Sequence, residues 1–232
     1  RVLRAFRPRR PGRVVAVRVN EDAVPLGYLL NRHAFFGSVR RCQSLSFLLS
    51  NPVEPSPQAH AVDETLAVAL AAGGSADAPR AMIYQVDKSE RDAASRRFAP
   101  WFGGPYIAWQ AGGGCTLKHR DWPPRRIIEA IRLLQREIPH RIVITGGGDN
   151  KEASDEIASA CPHAINLCCR TSLEETAAIV ESAALLVSSD TGVMHLGFAI
   201  GTPTLALLHS RSKPVHYGPP AGDPRFEVIH VP

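Results

Sequence analysis

The run Val187–His209, VSSDTGVMHLGFAIGTPTLALLH, sets an aspartate, a threonine, a glycine and a histidine inside the most apolar part of the chain. A segment that served only as core would exclude them, because a buried polar group costs free energy unless it finds a partner. The pattern reads as a strand ending at Ser189, a polar turn, and a helix opened by Thr191 and Gly192. The first N–H groups of a helix have no intrahelical partner and sit at the positive end of its dipole, so this turn suits an anion such as a diphosphate. Gly192 admits a phosphate close to the backbone, and the Thr191 hydroxyl is a further donor. Asp190 is read as an N-cap whose carboxylate also accepts from sugar hydroxyls. His195 follows one turn later on the same face, either as a site residue or as a satisfied core histidine.

Two other glycine-bearing turns follow short apolar runs. PYIAWQ leads into AGGGCTLKHRDW, which offers Gly113, Thr116, Lys118 and Arg120. Cations there would neutralise a leaving diphosphate without a metal; the plainer alternative is a solvated basic loop. RIVIT leads into GGGDN, with Asp149 and Asn150. In open α/β sheets ligands bind beyond the carboxyl ends of the strands, where all three turns fall.

The elements that must position these turns alternate. DWPPRRIIEAIRLLQREI has apolar residues at helical spacing, with Asp121 as its expected N-cap. NKEASDEIASAC is a second helix, AINLCC a strand, and SLEETAAIVESA a helix opened by the capping box Ser172–Glu175. ALLVSS and PTLALLH are further strands around the helix TGVMHLGFAIG, and RFEVIHV is a sixth candidate. Continuous apolar strands alternating with helices predict a doubly wound parallel sheet. The first hundred residues are less regular: GRVVAVRVN reads as a strand, HAVDETLAVALAAGG as a helix and DKSERDAASRRFAPWF as an exposed helix. A boundary is expected in WFGGP, which divides the chain into 1–104 and 105–232.

Composition excludes several classes. Of 232 residues, 44% are hydrophobic and 21% charged, the profile of a packed globular chain. The net charge of +5 is local, because the first 18 residues hold seven arginines and no acid. That segment reads as a contact with an anionic membrane surface or a phosphorylated acceptor, or as a solvated edge. It lacks the interleaved aromatics of a nucleic-acid binder. The five cysteines are an odd number without CxxC, which favours buried free thiols over zinc. The first residues do not read as the basic and apolar regions of a signal peptide, so none is expected there, and Asp190, His195, Gly201 and Pro203 interrupt the one run long enough to span a bilayer. The dinucleotide, P-loop, hydrolase-elbow and zincin motifs are absent.

Four segments in order, GGGCTLKHRDWPPRRIIEAIRLL, RIVITGGGDNKEASDEI, SLEETAAIVESAALLVSS and DTGVMHLGFAIGTPTLALL, resemble glycosyltransferase family 9, the lipopolysaccharide heptosyltransferases, from about Tyr106 to His209. The resemblance implies a GT-B fold, with 105–232 the nucleotide-sugar (donor) domain and 1–104 a remnant of the N-terminal Rossmann-like acceptor domain. It implies inverting, metal-independent transfer, without a cofactor, of a sugar such as heptose from ADP-heptose. The acceptor would be a lipopolysaccharide core sugar, the place the cytoplasmic face of the inner membrane, with peripheral contact to it. Asp190 would then contact the donor sugar, Thr191 and Gly192 would hold the diphosphate, and His195 matches the family's histidine. The family's lysine before tryptophan falls on Arg120, with Lys118 displaced by two, so either meets the phosphates. Its nucleoside acid falls at Asp149 or Asn150. The family opens on a strand, a glycine-rich loop and a carboxylate base that find no match here, so a fragment lacking the N-terminal start is expected. The alternative function is accordingly a nucleotide-sugar-binding module without transfer. A nucleotide-sugar epimerase on the same fold would carry further acids and histidines that the sequence does not show.

Overall fold

The computed structural model describes residues 12–17, 23–102, 104–113, 121–210, 212–220 and 222–230. The arginine-rich opening through residue 11, and Arg18, lie outside the described residues. Two compact units divide between Arg80 and Ala81.

The smaller unit is a three-stranded parallel sheet of β1 (Val14–Ala16), β2 (Phe35–Ser38) and β3 (Asn51–Val53) in that order. Helices α1 (Ala23–Asn31), α2 (Val39–Cys42) and α3 (Ala61–Ala71) accompany it, and Ala16, Val24, Phe35, Cys42 and Leu49 form its core. A buried carboxylate, Glu64 in the first turn of α3, accepts from the Ser38 hydroxyl and the Arg40 guanidinium, with the Arg41 Nε 3.3 Å away.

The larger unit holds β4 (Tyr106–Gln110), β5 (Arg141–Thr145), β6 (Ile165–Asn166), β7 (Leu185–Ser189), β8 (Thr204–Leu208) and β9 (Phe226–His230). All pair in parallel, in the order β6-β5-β4-β7-β8-β9. Counted from the unit's own first strand this is 3-2-1-4-5-6, the doubly wound order whose direction reverses between β4 and β7. Its helices are α4 (Lys88–Phe102), α5 (Pro124–Glu137), α6 (Lys151–Ala160), α7 (Leu173–Ser182), α8 (Gly192–Ile200) and the short α9 (Pro214–Tyr217). One core layer joins Ile127, Ile131 and Ile157 to Ile107, Trp109, Ile142 and Ile144 of the strands. The opposite layer joins Phe98, Ala177 and Ile179 to Tyr106, Ala108, Val143 and Leu186. Strands with both faces covered read as continuous apolar runs, which is why the pattern was legible.

Local signals decide several ends. Ser172 and Glu175 satisfy each other's backbone N–H groups as a capping box at α7. Gly201 stops α8 in the left-handed region, φ 89°, with its N–H on the Gly197 carbonyl.

Two expectations are corrected. The strand read over AINLCC extends only over Ile165–Asn166, because Leu167–Arg170 closes into a turn. Helix α4 is not simply exposed: Ala94 and Phe98 are buried in the larger unit's core, and Arg91 and Arg97 pair with Glu181 and Glu175 of α7. The two compact units divide before α4, and the break read in WFGGP falls within the larger of them.

Candidate functional site

The reversal places the ends of β4 and β7 side by side. Gln110 and Ser188 are cross-strand partners, so the two polar turns leave the sheet at one level. They also abut: a Cβ built on Gly113 would lie 3.6 Å from Cγ2 of Thr191.

Three side chains hold the turn after β4. Gln110 Nε2 donates to the Gly112 carbonyl at 2.8 Å, and its Oε1 accepts from the Thr145 hydroxyl at 2.9 Å. Asp121 Oδ1 accepts from Gly113 N–H at 2.6 Å, and Asn150 Nδ2 donates to the Gly113 carbonyl at 2.9 Å. Residue 112 must be glycine for this clamp to close, since a Cβ there would meet Asp121 Oδ2 at 2.7 Å and Asn150 Nδ2 at 3.0 Å. Asp121 is therefore not the N-cap of α5. That helix begins at Pro124 with Pro123 as its cap residue and no side-chain cap. Two prolines in a row remove N–H donors, and the carboxylate turns to Gly113.

The turn after β7 also differs in detail from expectation. Thr191, not Asp190, is the N-cap of α8: its backbone is extended and its hydroxyl accepts from Met194 N–H at 3.4 Å. Ser188 donates its one hydroxyl hydrogen to the Ser189 carbonyl at 2.9 Å, so in the 3.1 Å contact between the hydroxyls Thr191 is the donor. The Thr191 hydroxyl is thus used in shaping the turn, and what the turn turns outward is backbone N–H at the start of α8. Gly192 is exposed, and among the described residues nothing beyond its own stretch of chain lies within 4 Å of where its Cβ would be. Asp190 is half-buried, and its Oδ2 accepts from the buried Ser212 hydroxyl at 2.6 Å.

After β5, Asp149 is exposed on the 3-10 turn Gly148–Asn150, whereas Asn150 is buried and committed to Gly113. His195 is half-buried on α8, edge-on to Phe198 with ring centroids 6.1 Å apart. The structure thus brings Gly113, Asp190, Thr191 and Gly192 to one edge, and Asp149 to the neighbouring strand end. Thr116, Lys118 and Arg120 lie outside the described residues. Among the described residues no three His, Cys, Asp or Glu side chains converge as metal ligands, and no helix is long and apolar enough to cross a membrane.

Gln110 and Ser212 are the working residues that sequence reasoning missed, while Asp121 and Asn150 were read for other roles than the clamp on Gly113. The one available signal was a glutamine closing an apolar strand; the rest depend on contacts between residues far apart in the chain.

Known proteins share stretches of this sequence and its fold. Lipopolysaccharide heptosyltransferase 2 of Salmonella typhimurium is 26% identical over 155 residues, covering 63% of this chain and 41% of that protein. A family 9 glycosyltransferase from Veillonella parvula superposes with a TM-score of 0.71 at 20% identity, over 93% of this chain and 60% of its own. The E. coli heptosyltransferase WaaC with ADP gives a TM-score of 0.63 at 22% identity, over 90% of this chain and 64% of its own. The chain therefore spans about two fifths of that curated relative and about three fifths of these solved structures. The sequence profile of glycosyltransferase family 9 (heptosyltransferase) matches residues 30–225. With a doubly wound sheet in the GT-B manner and a family match over most of its length, the chain belongs to glycosyltransferase family 9.

Proposed function

We propose that the larger unit binds a nucleoside-diphosphate sugar, ADP-heptose in the first instance, and that the enzyme it belongs to transfers the sugar to a lipopolysaccharide core acceptor. The carrying observation is the abutment of the Gly113 turn and the Asp190–Thr191–Gly192 turn at the reversal of the sheet, with Gly192 exposed and no other described residue over it. The diphosphate lies against the N-terminus of α8, where backbone N–H groups and the helix dipole favour negative charge. Asp190, oriented by Ser212, accepts from the sugar hydroxyls, and Asp149 contacts the nucleoside.

The acceptor hydroxyl attacks the anomeric carbon opposite the diphosphate and gives its proton to a carboxylate base of the kind the family carries in its opening segment, the bond from that carbon to the phosphate oxygen breaks, and configuration inverts. Charge then develops on the leaving diphosphate. It is stabilised by the α8 N-terminus and by a cation from Lys118 or Arg120, so that no metal is required. His195 rests against Phe198 and keeps its match to the family's histidine as its claim to a role. The setting is the cytoplasmic face of the inner membrane, with the arginine-rich opening as the peripheral contact.

Titration calorimetry tests the reading. The chain should bind ADP-heptose with or without EDTA. Asp190→Ala should weaken ADP-heptose about ten- to hundredfold, because hydrogen bonds to a charged group are the strong ones, while ADP alone changes little. Unchanged ADP-heptose titration in Asp190→Ala would remove the sugar role. Binding without product, when a truncated lipopolysaccharide acceptor is supplied, would leave a nucleotide-sugar-binding module. Ser212→Ala, which removes one hydrogen bond that orients the carboxylate, should weaken ADP-heptose about three- to tenfold in the same titration.

A further inference from the structure

The turn after β6 carries two adjacent cysteines that the proposed site does not use. Cys168 and Cys169 are the middle residues of a turn closed by Arg170 N–H on the Leu167 carbonyl at 2.9 Å. Cys169 has φ 62°, at the turn position where a positive φ ordinarily selects glycine or asparagine. A cysteine there works against the local backbone preference, and such outliers gather where the strain serves something. Its geometrical result is plain. Neighbouring side chains of an extended strand point to opposite faces, whereas here the two sulfurs are 3.8 Å apart.

The pair also touches the nucleotide edge. Cys168 is buried, and its thiol donates to the Gly147 carbonyl at 3.3 Å, the same carbonyl that accepts from Asn150 N–H at 3.0 Å. Cys169 N–H is held by the Gly146 carbonyl at 2.9 Å. Gly146 and Gly147 begin the loop that carries Asp149 and the Asn150 amide on Gly113. Cys169 itself is exposed.

We propose that Cys168 and Cys169 are a reversible oxidation site for hydrogen peroxide, whose disulfide loosens the loop between β5 and α6. The exposed Cys169 thiolate attacks the peroxide. A sulfur–oxygen bond forms, the oxygen–oxygen bond breaks, and water leaves as Cys169 becomes a sulfenic acid. The Cys168 sulfur then attacks Cys169, the sulfur–sulfur bond forms, and hydroxide leaves with the Cys168 proton as a second water. Two thiols have given two electrons and two protons to one peroxide. Burial pushes the Cys168 thiol up, which suits it to the second step rather than the first. Adjacent α-carbons stay about 3.8 Å apart, closer than disulfides prefer, so the bond is easily reduced and acts as a switch. Once it forms, Gly147 loses the thiol donor. The effect on nucleotide rests on the donor-site reading above; the disulfide does not.

The experiment treats the chain with hydrogen peroxide, alkylates the remaining thiols, and reads the peptides by mass spectrometry beside an ADP titration. A two-hydrogen loss confined to the Cys168–Cys169 peptide and reversed by dithiothreitol is expected, with ADP bound about three- to tenfold more weakly. Cys169→Gly supplies the residue the turn prefers, so it should melt no lower than the parent and keep its ADP affinity under peroxide. A sulfinic acid on Cys169 with Cys168 still alkylated, or a disulfide to Cys115, would overturn the site. A Cys168–Cys169 disulfide that leaves ADP affinity unmoved would overturn the coupling. Failure of the reduced chain to bind ADP would count against the donor site, and the peptide masses would still decide the oxidation site.

Discussion

Gly192→Val is expected to fold as the parent does and to bind ADP about a hundredfold more weakly. The first half follows from the space around the residue: among the described residues nothing beyond its own stretch of chain lies within 4 Å of the position its Cβ would take, and the residue opens a helix. Valine is no worse than glycine in a helix, so the melting transition should hold or rise slightly. The second half follows from what that space is for. A diphosphate reaching the N–H groups of Gly192 and Val193 must come within about 3 Å of the backbone, and a branched side chain keeps it away. Two charge-assisted hydrogen bonds at about 1.5–3 kcal/mol each more than account for a hundredfold loss. Gly192→Ala should fall between, near tenfold. A melt and a calorimetric titration of the three proteins decide it, and a valine variant that binds ADP normally would move the diphosphate off this helix.

Glu64→Ala should cost the smaller unit about 3–5 kcal/mol, since it strips a buried carboxylate from two guanidinium partners and leaves their charge uncompensated. Whole domains are stable by about 5–15 kcal/mol, so the loss is a large share of the total and β2 and α3 should exchange their amide hydrogens far faster than in the parent. Hydrogen exchange over Phe35–Ser38 and Ala61–Ala71 reads this without depending on the larger unit. Acid should have a related effect. Burial alone would raise the Glu64 carboxyl. The hydrogen bonds from Arg40 and Ser38 and the charges of Arg41 and Arg40 outweigh that, and hold it below the usual glutamate range. A group lowered in the folded state stabilises above its unfolded value, about 4.3, and that stability is lost as pH falls through the lower folded value. Protection of β2 should therefore decline below about pH 4.3 in the parent. It should decline less in Glu64→Gln, which starts lower and has no proton to gain. Equal pH dependence in the two would show that Glu64 does not set the acid limit.

The larger unit was readable because its signals are local. Ser172 and Glu175 form a capping box within one turn, Gly201 ends α8 by its own φ, and each strand is a short apolar run. The smaller unit was harder, with strands of three and four residues whose pattern hardly differs from a loop. The misreadings share a cause. Asp121 looks like a cap because acids favour that position, but the prolines after it remove the donors and Gly113 supplies one from across the turn. Asp149 and Asn150 are alike in the sequence; burial separates them, one exposed and one holding the Gly113 carbonyl. Cys168 and Cys169 extend an apolar run on paper, yet the backbone turns under them.

From its residues alone the chain determined an alternation of parallel strands and helices, with polar turns at their carboxyl ends, since caps, periodicity and turn residues act over a few neighbours. Only the tertiary structure decided that β4 and β7, with β5 and β6 between them in the chain, lie side by side and bring Gly113 against Thr191. It also decided which polar groups at that edge are bound to the protein and which face the space a ligand would fill. Strand order and hydrogen-bond satisfaction are settled between residues distant in sequence, by which pairings leave fewest buried polar groups unmet.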